Sequence, residues 1–271
     1  MNIKGKSTLE NLRKILNLRN YSENTINTYI YYVGEFINSF DKPALHITAK
    51  DIKEYIENYN YSSISKQNQI YSSIKLFAKH ILNIKNLGNI ILERPRKEKR
   101  LPRIIDKDVL KSKILLIPNK KHRALLCLAY SCGLRVSEVV NLKIKDIDSG
   151  RMLININQAK GRKDRVVPLS EPLLLILREY FKKYKPVEYL FNGKSKTSLR
   201  YSTGSCNKIV KKYISEDSHF HLLRHSALTH MLENGTDVSV IQSIAGHRRL
   251  STTSIYLHVS NNLLQQVQMP I

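Results

Sequence analysis

The chain has 271 residues, room for one large or two ordinary domains, and its 42% hydrophobic content excludes a disordered chain. Its 45 Lys and Arg against 22 Asp and Glu give a formal charge of +23, which points to a polyanionic partner such as nucleic acid. No apolar run approaches the roughly 20 residues that span a bilayer, and the start, MNIKGKSTLE, lacks an apolar signal core, so an intracellular protein without a membrane partner is expected.

Residues 1–92 read as a small α-bundle of four helices. Ser22 can cap a helix whose apolar face runs Ile26, Tyr29, Ile30, Val33 and Ile37. Thr48 and Asp51 have the spacing of a capping box with a short acid, and Ile47 with Ile52 would form its hydrophobic staple. That helix shows Ile52, Tyr55, Ile56 and Tyr59. A fourth carries Ile70, Ile74, Phe77, Ala78 and Ile81. The polar faces hold Lys, Asn, Ser and Tyr, suited to phosphate and sugar contacts.

A basic joint follows, ERPRKEKRLPR at 93–103, with six basic residues, two acids and two prolines. Proline disfavours helix here. Arg94, Arg96, Lys97, Lys99 and Arg100 are therefore expected as contacts to a nucleic-acid backbone from an extended segment.

The second half, 104–271, opens with helices around 106–117 and 120–132. Alternating Met152, Ile154 and Ile156, then Val166 and Val167, predict a small hairpin or three-stranded antiparallel sheet around the turn AKGRKD. Helices resume at PLLLILREYFKKY. Cys127 and Cys132 lie in an apolar run and read as small core residues; with Cys206 the three thiols cannot all pair within one chain, and no Cys-x-x-Cys suggests a metal site.

Four patches carry chemistry. In SCGLRVSEVVNL, a turn at Gly133 leads to Arg135 and Glu138 at i,i+3, where the arginine can present a fork of donors to an anion and the acid can hold it. In the hairpin turn, Lys160, Arg162, Lys163 and Arg165 crowd together as a phosphate-binding loop, and the turn alone does not say which is the active one. In HLLRHSALTHML, His221 and Arg224 share a helical face, and His225 stands one turn from His221. That spacing raises a zinc question, but no Glu stands at 222 and no further ligand is evident. In AGHRRLSTTSIYLH, Gly246 can end a helix, His247 follows it, and Ser251 can cap the short helix carrying Tyr256.

The set Arg135, Lys160, His221-Leu-Leu-Arg224, His247 and Tyr256 resembles, in order and spacing, the signature of the tyrosine recombinase (phage integrase) family. The resemblance covers nearly the whole chain, specifically in the C-terminal half and by pattern alone in the N-terminal half. Ala245, where Leu often precedes Gly-His, is an apolar departure that touches no chemistry. The resemblance implies a mainly α fold: a SAM-like core-binding domain, then a mostly helical catalytic domain with a small antiparallel sheet, together a C-shaped clamp around DNA. It implies a site-specific recombinase in which Tyr256 attacks a DNA phosphate to form a 3′-phosphotyrosyl link, and strands exchange through a Holliday junction without ATP, metal or other cofactor.

In that scheme Arg135 and Arg224 bind the phosphate oxygens. Lys160 protonates the leaving 5′-oxygen, His221 takes the tyrosine proton or binds phosphate, His247 donates to a phosphate oxygen, and Glu138 supports them. Arg248 becomes a DNA-backbone contact. The expected partners are duplex DNA with two half-sites and three further protomers, as a homotetramer or heterotetramer in a nucleoid-associated cytoplasmic complex. The tail residues Leu263, Leu264 and Val267 would dock on a neighbour. Size suggests simple Xer-type recombinases or small mobile-element integrases, with no arm-binding domain ahead of the bundle, and the short stretch between Lys160 and His221 argues against an integron-type insertion. The competing readings are a strand-relaxing topoisomerase, a DNA-binding protein without activity, and a metal-dependent nuclease; the last lacks a carboxylate cluster.

Overall fold

The computed structural model describes residues 5–84, 102–157, 164–193, 199–247 and 250–256, with Leu250 and Ser251 described by their backbone alone. The chain divides into two compact units, 1–99 and 100–271.

The first unit is the four-helix bundle that the periodicity predicts: α1 (Lys6–Leu18), α2 (Glu23–Asn38), α3 (Ala49–Asn58) and α4 (Ile64–His80). Side-chain caps set three of its helix starts. The Ser22 hydroxyl accepts from the Thr25 N–H, and Ser63 does the same for Lys66. Thr48 and Asp51 form the reciprocal capping box, and Ile47 and Ile52 at that helix start are both buried. Helix α4 ends at His80, one residue before the expected Ile81. The core is apolar and rich in rings: Phe36 is fully buried, edge-on to Phe40, Tyr55 and Phe77 at centroid distances of 5.3, 4.8 and 6.0 Å.

The second unit is mostly helical around a small sheet. Helices α5 (Lys107–Leu115), α6 (Lys120–Ser131) and α7 (Val136–Asn141) precede a three-stranded antiparallel meander of β1 (Ile147–Asp148), β2 (Leu153–Ile156) and β3 (Arg165–Pro168), paired in the order β1-β2-β3. The alternation holds for Ile154 and Ile156, which point inward, with Ile154 facing Val167 across the ladder; Met152 precedes β2 at a positive φ, and Val166 points outward. Helices α8 (Glu171–Tyr184), α9 (Thr203–Tyr213), α10 (Phe220–Glu233), α11 (Val238–Ala245) and the short α12 (Leu250–Thr253) follow. Cys127, Cys132 and Cys206 are free thiols in the core, and burial pushes the thiol of Cys132 up to about 12.

Helix α10 organises the site. It is buried around most of its circumference, polar residues included: Arg224, Ser226, Thr229 and His230 are all buried. The Ser226 hydroxyl accepts the backbone N–H of Ile105, and the Lys107 ammonium reaches Asn234, so the start of the unit is moored along this helix. Gly246 ends α11 in the left-handed region, φ 63°, with its N–H on the Ser243 carbonyl and that of His247 on Gln242. This turn brings His247 back towards α10. Ser251 lies inside α12, not at its cap, because the helix starts at Leu250; Tyr256 sits in the 3₁₀ turn Ser254–Tyr256 that follows. No described helix is long and apolar enough to cross a membrane.

Candidate active site

The described side chains singled out in the sequence converge on α10 and the elements packed against it. Arg224 is the hub. It is 1% exposed, and its guanidinium donates from Nη1 to the Gly133 carbonyl (2.7 Å) and from Nη2 to the Ala245 carbonyl (2.7 Å). Its Nη2 also meets His247 Nε2 at 3.0 Å. The remaining Nε is buried and has no partner among the described residues. Burial, then the nearby charge of Arg135, lowers the Arg224 pKa to about 10, so the group stays cationic at neutral pH.

Arg135 stands at the start of α7, where the turn at Gly133 places it. Glu138 one turn on accepts from its backbone N–H (2.8 Å) and from its Nη1 (2.7 Å). The same carboxylate takes both ends of the Arg165 fork at 2.9 Å each, and Arg165 Nε donates to the Ile244 carbonyl at 2.6 Å. Burial would raise the Glu138 pKa, but the hydrogen bonds and charge of Arg165, with those of Arg135, outweigh it and pull the carboxyl down to about 2. Arg165 was expected on the DNA; its side chain is instead 7% exposed and locked inside. The cause is β3: alternation turns the first residue of that strand towards α7 and α11 rather than outward with the turn.

His247 follows Gly246. Its Nε2 faces an arginine donor, so that nitrogen is the acceptor, and Nδ1 carries the proton given to Thr253 Oγ1 at 3.0 Å. Burial and the charge of Arg224 lower its pKa to about 4, consistent with a neutral ring. In this arrangement neither nitrogen is placed to donate to a phosphate, unlike the role the sequence resemblance gave it. The ring lies parallel to Tyr256, centroids 6.4 Å apart and planes 10° apart.

Tyr256 is 2% exposed. Its hydroxyl meets His225 Nδ1 at 3.1 Å. Burial raises the phenol pKa, while Arg224 and Arg135 pull it down. His221, expected beside the tyrosine, is exposed and stands edge-on to His225, centroids 4.5 Å apart at 81°. Both imidazoles share one face of α10, and the nearer turn of the helix brings His225 to the hydroxyl. The sequence signal for His225 is its i,i+4 spacing from His221, a spacing that equally suits a zinc pair. The described residues hold no group of three or more His, Cys, Asp or Glu set for a metal.

Lys160, Arg162, Lys163 and Arg248 lie outside the described residues, as do Arg94, Arg96, Lys97, Lys99 and Arg100 of the basic joint and Leu263, Leu264 and Val267 of the tail.

Residues 8–86 match the N-terminal SAM-like domain of phage integrases, and residues 103–262 match the phage integrase family. A tyrosine recombinase XerA of Pyrococcus horikoshii is 34% identical over 267 residues, which cover 95% of this chain and 91% of that protein. The crystal structure of a XerA recombinase matches with a TM-score of 0.56 at 28% identity, covering 96% of both chains. A XerH site-specific recombinase solved on a palindromic difH substrate, in a post-cleavage complex, has the same fold: TM-score 0.69, 22% identity, 95% of this chain and 83% of that one.

Proposed function

The chain belongs to the phage integrase family and is a tyrosine-type site-specific recombinase; from that premise we propose that Tyr256 attacks a scissile phosphate of duplex DNA. A 3′-phosphotyrosyl link forms and a 5′-hydroxyl leaves. A partner strand's 5′-hydroxyl reverses the step. The phosphodiester energy is kept in the link, so the scheme needs no ATP.

The observation that carries this reading is the grouping of a buried phenol with Arg224, Arg135 and two imidazoles. A phenol with a pKa near 10 is a weak nucleophile at neutral pH and needs help to lose its proton. Negative charge grows on the non-bridging oxygens as the phosphorus becomes five-coordinate, and forks held in place beforehand stabilise it most. Arg224 and Arg135 are held in this way, by the Gly133 and Ala245 carbonyls and by Glu138. The buried Arg224 Nε is a donor still to be used. These fixed cations supply the electrostatic stabilisation that a metal ion gives in other phosphoryl transfers.

For His247 to donate to phosphate in this scheme, its contact with Arg224 opens first. Lys160, by the family pattern, is the acid for the leaving oxygen. XerH, at low identity, was solved on a palindromic difH substrate; by analogy this chain binds duplex DNA sites, assembles as four protomers on two of them, exchanges tails carrying Leu263, Leu264 and Val267, and works on the nucleoid.

The test is a suicide DNA substrate with a nick beside the scissile phosphate. Wild type should accumulate a protein–DNA adduct whose link is phosphotyrosine at residue 256, and Tyr256→Phe should form none. An adduct that persists in Tyr256→Phe overturns the assignment.

A further inference from the structure

We propose that Arg165 is a positioning residue for strand cleavage: without touching DNA, it sets the spacing and aim of the two phosphate-binding arginines, Arg135 and Arg224. This deepens the reading above and rests on those two arginines holding the scissile phosphate. Arg165 opens β3, and its side chain, 7% exposed, presents almost nothing to a nucleic acid.

Two buried guanidiniums tie the start of α7 to the end of α11. Arg224 joins the Gly133 carbonyl to the Ala245 carbonyl, at 2.7 Å each. Arg165 joins Glu138 in α7 to the Ile244 carbonyl, at 2.9 and 2.6 Å. Ile244 and Ala245 are neighbours in the chain, and Gly133 stands two residues before Arg135. The two ties therefore close a ring that runs through both phosphate-binding arginines. Its cations repel one another: after burial, Arg135 and Arg165 both push the Arg224 pKa down, while Glu138 pushes it up.

Glu138 is shared between two arginines. Arg135 reaches Oε1 through Nη1 at 2.7 Å and Oε2 through its backbone N–H at 2.8 Å. Arg165 meets both oxygens with the two ends of its fork. That sharing leaves Arg135 a single side-chain bond to the carboxylate, so the rest of its fork can turn to a phosphate. Without Arg165, Glu138 is released to pair side-on with Arg135, which turns that fork from its aim, and the tie through Arg224 loses its partner. Both phosphate-binding charges stay in the site. The loss therefore falls on alignment in the transition state and not on DNA binding.

The test separates rate from binding. In single-turnover cleavage of the nicked DNA, Arg165→Met should be slower than wild type by about 10²-fold, with DNA affinity and its salt slope unchanged. Arg165→Lys keeps the charge but cannot present a planar fork, and should lose about tenfold. Because Arg165 acts through Glu138, the losses should not multiply: Arg165→Met with Glu138→Gln should cleave at close to the rate of Glu138→Gln alone.

Wild-type cleavage by Arg165→Met overturns the proposal, and so do losses that multiply in the double variant, the mark of a merely structural role. Weaker DNA binding with a shallower salt slope also overturns it, because Arg165 would then be a phosphate contact itself. Should Arg165→Met fail to fold, Arg165→Lys carries the test, and a wild-type rate for it ends the proposal. A wild-type rate for Arg135→Ala would sink the phosphate reading on which the proposal rests, whereas a normal Arg165→Met sinks only the positioning role.

Discussion

Both units have apolar cores, but they differ in the polar side chains they bury beside them. Among the described residues, Ser73 is the one buried polar side chain of the first unit, whereas the second buries Glu138, Asp146, Ser218, Arg224, Ser226, Thr229, His230 and Thr253. An apolar core gains stability roughly in proportion to its buried area. Buried charge gains little over a well-packed apolar replacement of the same volume, because desolvation offsets the attraction. The first unit therefore has a core built for stability. The second adds to its apolar core a buried polar set that fixes the positions of three arginines.

The sharpest break of this contrast lies in the first unit. Phe36→Ala removes a fully buried ring that three others pack against, and should cost about 3–5 kcal/mol. Because Phe36 belongs to a separate core, native-state hydrogen exchange should show lost protection in α1–α4 and unchanged protection in α6 and α10. Equal loss in both units would show that they do not keep separate cores.

The matching break in the second unit is electrostatic. Arg165→Met removes the two-pronged arginine from a buried Glu138 that Arg135 also holds, and should destabilise the unit by about 3 kcal/mol in urea unfolding. DNA affinity should keep its salt dependence, whereas losing a phosphate-binding arginine would lower the salt slope by about 1. Glu138 adds a pH signature. Its carboxyl falls from the ordinary 4.5 to about 2 on folding, so it stabilises the fold above pH 4.5 and loses that contribution as pH falls towards 2. Glu138→Gln should thus be less stable than wild type by about 3 kcal/mol at pH 7, with the gap closing through that window. A gap that stays constant down to pH 2 would contradict the ion-pair assignment.

The sequence carried the elements well where one local rule decided them. Thr48 and Asp51 announced a helix start, alternation announced β2 and β3, and Gly246 announced a helix end. It carried the site only as a set of residue types in order. Which face of β3 Arg165 takes depends on whether Val166 or Val167 turns inward, and two adjacent valines do not reveal that. Which of His221 and His225 meets Tyr256 depends on where α12 and its 3₁₀ turn return, far along the chain from α10. Both are tertiary outcomes, and both re-assigned a side chain: Arg165 from DNA to the interior, His225 from a metal question to the Tyr256 hydroxyl.

The smallest predicted effect tests how tightly the arginine lattice is built. Gly235 and Gly246 both have positive φ, at 84° and 63°, so alanine at either incurs a backbone penalty of about 1 kcal/mol. Their surroundings differ. A Cβ on Gly235 meets nothing within 4 Å, while one on Gly246 comes within 3.2 Å of Arg165 Cδ and 3.3 Å of its Nη1. Arg165 has little freedom to yield, since Glu138 holds both ends of its fork and the Ile244 carbonyl holds Nε. Gly246→Ala should therefore be less stable than Gly235→Ala by up to about 1 kcal/mol in parallel thermal melts. The next carbonyl along, Ala245, is the one Arg224 holds, so the displaced arginine also disturbs the hub. Gly246→Ala should slow adduct formation severalfold while Gly235→Ala leaves it near wild type. Equal melting and equal cleavage in the two variants would mean that Arg165 gives way easily, and that the lattice positions the site less firmly than its hydrogen bonds imply.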